Sequence, residues 1–142
     1  MNDDRLLRRP IGWWLKEADA RLDAAFDASL GVRGVERRVW QVLATIARSA
    51  ATRREVVAGL ASFDALTVVN GVVDDLRERG WVAESPDGML RLTPAGAREQ
   101  QALAPLVEDV RHMVAAALPE EDYVTLVRLL ARLVEALPET AG

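Results

Sequence analysis

Apolar side chains recur at spacings of three and four along most of this chain, and the rhythm gives way only around residues 81–92. Ile11, Trp14, Leu15, Ala18, Leu22, Ala25, Phe26 and Leu30 fall on one face of a helix. Gly31 stands where a C-cap is expected. Val39, Val42, Leu43 and Ile46 predict a second helix over residues 35–48. Thr52-Arg-Arg-Glu55 reads as a capping box, in which the Thr hydroxyl and the Glu carboxylate satisfy each other's backbone N–H groups. It opens a third helix that runs to about residue 60. Ser62 or Asp64 is placed to cap a fourth, whose inward face is Val69, Val72, Val73 and Leu76 and whose stop is Gly80.

Trp81-Val-Ala-Glu84 and Met89-Leu-Arg-Leu92 then read as two short strands, and Pro86-Asp87-Gly88 presets a tight turn between them. Thr93 caps the next helix, with Pro94 at its first position, where a missing N–H costs nothing. Leu103, Leu106, Val107, Val110, Met113, Val114 and Leu118 make its stripe. Pro105 lies inside that stripe and predicts a kink or a division. Pro119 restarts the chain, with Glu120, Glu121 and Asp122 where the helix dipole favours acids. Tyr123, Leu126, Val127, Leu130, Leu133, Val134 and Leu137 form the last stripe.

Helix, turn, helix and hairpin in that order make a winged helix-turn-helix, a geometry that lays its second helix in the DNA major groove. The expected fold is mainly α with a small β-hairpin wing. Residues 34–96 form the winged module, flanked by an N-terminal helix in 1–33 and C-terminal helices in 97–142. Those amphipathic flanks expose more apolar surface than so small a body covers, so a symmetric helical dimer interface is expected.

Charge complicates the DNA reading. The net charge is −4, and residues 34–96 carry eight basic and eight acidic groups. A DNA-binding face would have to come from sorting these charges, because phosphate contacts supply most of the affinity. Cysteine is absent and His112 is the single histidine, so disulfides and thiolate or histidine metal sites drop out. No cofactor is expected. No apolar run approaches the roughly 20 residues of a membrane span, and the first ten residues lack a signal-peptide core; a soluble, cytoplasmic protein is expected.

Across nearly its full length the chain resembles the MarR family of bacterial transcription regulators. The resemblance is carried by Pro10-Ile-Gly-Trp-Trp-Leu-Lys16, Arg37-Arg-Val-Trp-Gln-Val-Leu43, Val72-Val-Asp-Asp-Leu-Arg-Glu-Arg-Gly80, Leu92-Thr-Pro-Ala-Gly96 and Leu118-Pro-Glu-Glu121. It implies one compact MarR-type domain and a homodimer held by the terminal helices on near-palindromic double-stranded DNA. It also implies a cleft between the dimerisation helices and the DNA-binding lobe, where small aromatic acids or phenols weaken DNA binding. The chain departs from the family in its reading helix. Two positions that are usually basic there fall on Gly71 and Asp75, the preceding turn is about two residues short, and the wing tip carries Glu84 and Asp87.

The candidate DNA contacts are therefore few. Thr67 and Asn70 are the side chains suited to base edges; Asn pairs well with adenine, though at this position it also fits a plain helix surface. Arg53 and Arg54, at the start of the third helix, are either phosphate contacts or a solvated helix end. Arg77 lies beside the wing, and Arg91 either meets phosphate or flanks the hairpin. Trp13, Trp14 and Trp40 belong to the helices that the resemblance sets beside the effector cleft, where they would stack on a planar ligand or serve only as packing.

No catalytic constellation emerges. Asp74-Asp75 and Glu120-Glu121 are adjacent pairs that point about 100° apart on a helix, no serine has a histidine partner in a recognisable pattern, and no glycine-rich loop cradles phosphate. The expected function is a dimeric DNA-binding regulator, a repressor, modulated by a small aromatic ligand, and not an enzyme. The alternative keeps the winged-helix dimer but with weak or lost DNA reading, as a ligand-sensing or protein-interaction module.

Overall fold

The structure, a computed structural model, describes residues 3–139. Helix α1 (Asp3–Leu7) precedes the long α2 (Ile11–Leu30), and a 3-10 turn (Gly31–Arg33) leads to α3 (Arg37–Arg48). Strand β1 (Ala51–Thr52) runs directly into α4 (Arg53–Gly59), followed by α5 (Leu66–Glu78). The wing is β2 (Val82–Glu84) and β3 (Met89–Leu92), and α6 (Pro94–Ala117) and α7 (Glu120–Ala136) end the chain.

The helical periodicities translate directly into burial. Val39, Val42, Leu43 and Ile46 of α3 and Val69, Val72, Val73 and Leu76 of α5 are all buried, joined by Leu103 and Val107 of α6. Each such side chain removed from water stabilises the fold by about 1.5–3 kcal/mol before entropy is counted. α3 is the central element, packed against α5 on one side and α6 on another. The Thr52 capping box forms as the sequence predicts, with Thr52 Oγ1 accepting from Glu55 N–H and Glu55 Oε1 accepting from Thr52 N–H, both at 3.2 Å. Thr93 likewise caps α6 by accepting from Gly96 N–H at 3.0 Å.

Several local expectations are corrected. Gly31 is the C-cap of α2 as expected, but its φ of −60° is right-handed because the chain continues into the 3-10 turn, and Gly34 takes the left-handed conformation at φ 69°. Neither Ser62 nor Asp64 caps α5. Ala65 is the N-cap without a side-chain bond, and Asp64 instead meets Arg38 at 3.5 Å. The sheet has a third strand, in the order β1-β3-β2 and antiparallel throughout, with Ala51 opposite Leu90 and Val82 opposite Leu92. α6 is not divided at Pro105. The proline lies on the exposed side of the helix, and so does Gln101, whose carbonyl loses the proline's missing N–H and can be satisfied by water.

The terminal helices are not covered. α7 has no buried residue among its seventeen, although its apolar stripe is present. Ile11, Trp14 and Leu15 at the start of α2 are also exposed. An apolar groove of about 510 Å³ lies between α2, α6 and α7, walled by Leu22, Phe26, Val114, Leu118 and Tyr123. No described helix is long and apolar enough to cross a membrane.

Candidate nucleic-acid interface

α5 presents its outward side as Thr67, Gly71, Asp74 and Glu78, spaced four, three and four residues apart. That stripe holds two acids and no cation. Gly71 faces open space, so nothing in the fold requires a glycine there. Asp75, on the flank, is held by Arg79 at 2.9 Å, and the Arg79 guanidinium lies 5.0 Å from the centroid of the Trp81 ring. Thr67 is exposed, as a base-contacting side chain must be. Asn70 is different: its Oδ1 is buried and has no hydrogen-bond partner. The paired bond that asparagine makes to adenine needs both amide atoms, and this side-chain orientation withholds one of them.

The arginines divide into bound and free. Arg53 Nε donates to Glu84 Oε2 at 2.9 Å, and its Nη2 donates to Asp74 Oδ1 at 2.7 Å. Arg77 Nη1 donates to the other Glu84 oxygen at 3.2 Å. Two cations and two anions from α4, α5 and β2 thus form a neutral quartet. The bond to Glu84, followed by the one to Asp74, outweighs partial burial and holds the Arg53 proton more firmly than usual. Arg54 and Arg91 are exposed and make no ion pair among the described residues. Arg91 lies on β3 opposite Ala83. At the wing tip, the Ser85 hydroxyl donates to Asp87, and that bond, with backbone and Arg91 contributions, pulls the Asp87 carboxyl below its ordinary range. This pairing was not legible in the sequence, because Arg53 and Glu84 are 31 residues apart and Arg53 and Asp74 are 21 apart.

The tryptophans do not gather. Trp13 and Trp14 touch edge to face at 4.7 Å, with Arg9 over the Trp13 ring and Trp14 Nε1 donating to the Leu6 carbonyl. They tie α1 to the start of α2. Trp40 alone lines a cleft of about 450 Å³ between α3 and α6, with Ala44, Arg48, Gln100, Ala104 and Arg111 among its walls. Its ring is stacked with Phe26 at 6.1 Å and 8° between planes. Trp40 Nε1–H is buried and has no acceptor. The cleft therefore offers part of the indole ring and two guanidinium groups, of which Arg111 is paired with Glu108 and Arg48 has no ion-pair partner among the described residues. Among the described residues, no group of three acidic or histidine side chains is placed to hold a metal ion.

No protein-family model matches the sequence and no curated protein is similar to it in sequence, so its likenesses are those of three-dimensional structure. A probable transcriptional regulator from Pseudomonas aeruginosa is 28% identical with a TM-score of 0.76, over 89% of this chain and 98% of that one. BpsR from Bordetella bronchiseptica, solved to explain regulation of its DNA binding by 6-hydroxynicotinic acid, is 24% identical with a TM-score of 0.77, over 89% and 95%. A Mycobacterium tuberculosis MarR-family protein solved in complex with DNA is 21% identical with a TM-score of 0.71, over 88% and 98%. The structural class is the winged helix-turn-helix fold. Within that class, the architecture of this chain is the MarR type, from the first long helix to the last.

Proposed function

We propose that the chain is a homodimeric, cytoplasmic DNA-binding regulator, a repressor, that recognises near-palindromic duplex DNA mainly through its backbone and shape. The observation that carries this reading is the winged module itself, with α5 outward and Arg54, Arg91 and Thr67 exposed beside it. The MarR-type relatives solved with DNA, or for its regulation, support it. The apolar stripes of α2 and α7 supply the dimer contact, and a two-fold dimer brings two α5 helices to sites one DNA turn apart, about 34 Å. With Arg54 and Arg91 as the two arginines that each protomer presents free at this face, such a dimer binds with a shallow salt slope, about −4 in log–log form. The regulator is not an enzyme, and its DNA-binding residues are Arg54, Arg91 and Thr67, with Arg53 and Arg77 entering once released from their acids.

The Trp40 cleft is its effector site. A planar aromatic acid packs against the part of the indole that lines the cleft and places its carboxylate by Arg48. The ligand acts by binding one lobe spacing better than the other. Trp13 and Trp14 act in packing. The test is fluorescence anisotropy with duplex DNA from the region upstream of the chain's own gene, with and without 6-hydroxynicotinic acid or salicylate. Saturable binding that the acid weakens supports the reading; no binding at any salt concentration sinks it.

A second reading has its own observation, the acidic outward stripe of α5 with Asp74 and Glu78. On that reading the dimer senses a ligand or binds a protein without sequence-specific DNA reading. Equal affinity for upstream DNA and unrelated DNA of the same length would favour it.

A further inference from the structure

Among the described residues, the only acids that reach across from one DNA-facing element to another in the winged module are Glu84 and Asp74, and both grip arginines. Glu84 lies on the wing strand, its side chain largely covered, and takes Arg53 with one oxygen and Arg77 with the other. Asp74 lies on the outward stripe of α5 and is well exposed, yet it closes on Arg53 at 2.7 Å. Arg53 is left with Nη1 as its only nitrogen without an acceptor. The edge of a guanidinium that clasps an anion by two parallel bonds is, in Arg53, already divided between two carboxylates.

We propose that Glu84, with Asp74, is a competitor for DNA phosphate built into the fold, occupying Arg53 and Arg77 and so setting how tightly the chain holds duplex DNA. The proposal rests on the DNA-binding reading and adds to it a residue-level control of affinity. A phosphate that approaches the start of α4 must displace a charge-assisted bond, and the displaced carboxylate stays beside it. The quartet has no net charge, so while it is closed it releases no counterions from DNA, and counterion release drives non-specific affinity. Two different elements supply the acids, so the brake links α4 to both the wing and α5.

The opposite role would be a positioning one, in which the acids aim the arginines at the phosphates. The two roles predict opposite signs. Fluorescence anisotropy with a 30-base-pair duplex of unrelated sequence, and with the upstream duplex, is run from 25 to 200 mM salt on the full chain. Glu84→Gln keeps the shape and removes the charge; Asp74→Asn does the same at an exposed position where folding is not at stake. Both variants are expected to bind unrelated duplex more tightly at low salt, on the order of tenfold for Glu84→Gln, with the slope steeper by about one to two per protomer. Circular dichroism melts identify any variant that fails to fold, and Asp74→Asn then carries the test. Unchanged or weaker binding in a folded variant, where the wild type binds, overturns the proposal and leaves the DNA-binding reading standing. No binding by wild type or variants at 25 mM salt overturns the DNA-binding reading and the proposal with it. Binding by Glu84→Gln alone supports both and identifies the acids as the reason the wild type is silent.

Discussion

Gly96 lies directly against the carbonyl of Trp81, and a Cβ added to it would overlap that oxygen. The contact holds the start of α6 against the residue that precedes β2. Thr93 N–H donates to the same Trp81 carbonyl at 3.0 Å, and Thr93 Oγ1 donates to the Gly80 carbonyl at 2.5 Å. The neighbour is backbone, so it cannot turn aside as a side chain would. Gly96→Ala is expected to destabilise the protein by about 1–3 kcal/mol, the usual cost of forcing volume into a packed site. A urea titration measures it, and a loss below about 0.5 kcal/mol, the scale of an ordinary surface substitution, would show that the junction yields.

A second junction depends on pH. Arg33, in the turn after α2, donates to both oxygens of Glu99 on α6 at 2.9 and 2.8 Å. The Arg33 hydrogen bond, working against burial and helped by the charges of Arg33 and Arg79, holds Glu99 below the ordinary carboxylate range. A depressed carboxylate contributes its stability in full above its unfolded pKa and loses it as pH falls through the folded one. Glu99→Gln should therefore melt below the wild type at pH 7, and the gap should close from about pH 5 downward. A gap constant between pH 7 and pH 3 would remove the pair from the stability of this junction.

The long elements were readable because each buries one stripe: α3 and α5 are fixed by eight valines, leucines and an isoleucine at helical spacing. The capping box at Thr52 and the Thr93-Pro94 start carry their geometry in adjacent residues, so they too were legible. β1 was not, because two residues cannot show a period and their pairing with Met89 and Leu90 depends on the wing's position. Asp64 looked like a cap because its local chemistry suits one, but Arg38 outcompeted the helix end. In the DNA-facing region, the sequence identifies which arginines exist and not which are free. Arg53 and Arg54 are neighbours in the chain, yet one is clamped by two acids and the other is unpaired.

Asn70 allows a prediction that separates reading from packing. Its Oδ1 is a buried acceptor without a donor, which costs about 1–3 kcal/mol where it occurs. Asn70→Leu is expected to leave stability unchanged or raise it. If the side chain turns outward to read adenine, the same substitution lowers affinity for upstream DNA relative to unrelated DNA. Raised stability with an unchanged ratio of the two affinities assigns Asn70 to the helix surface; a ratio that falls tenfold returns it to base reading.

The α7 stripe predicts the oligomeric state. Leu126 and Val127 are 41% and 46% exposed, and no residue of this helix is buried against its own chain. Leu126→Glu with Val127→Glu should convert a dimer to a monomer, seen by sedimentation equilibrium. The buried core of α3, α5 and α6 is untouched by these positions, so the monomer should keep its helical circular dichroism. A double variant that remains dimeric would move the interface elsewhere.

Trp40 and Trp13 give opposite expectations in one fluorescence experiment. Trp40 lines the cleft beside Arg48, whereas Trp13 is packed on Trp14 under Arg9. An aromatic acid that stacks in the cleft quenches the indole it covers and shields it from water. Titration with salicylate or 6-hydroxynicotinic acid should therefore quench wild type and Trp13→Phe alike, with the same midpoint. Trp40→Phe should lose most of that quench, and Arg48→Ala should shift the midpoint to higher ligand by about tenfold or more, the scale of one charge-assisted bond. Quenching that survives in Trp40→Phe and disappears in Trp13→Phe would transfer the site to the start of α2.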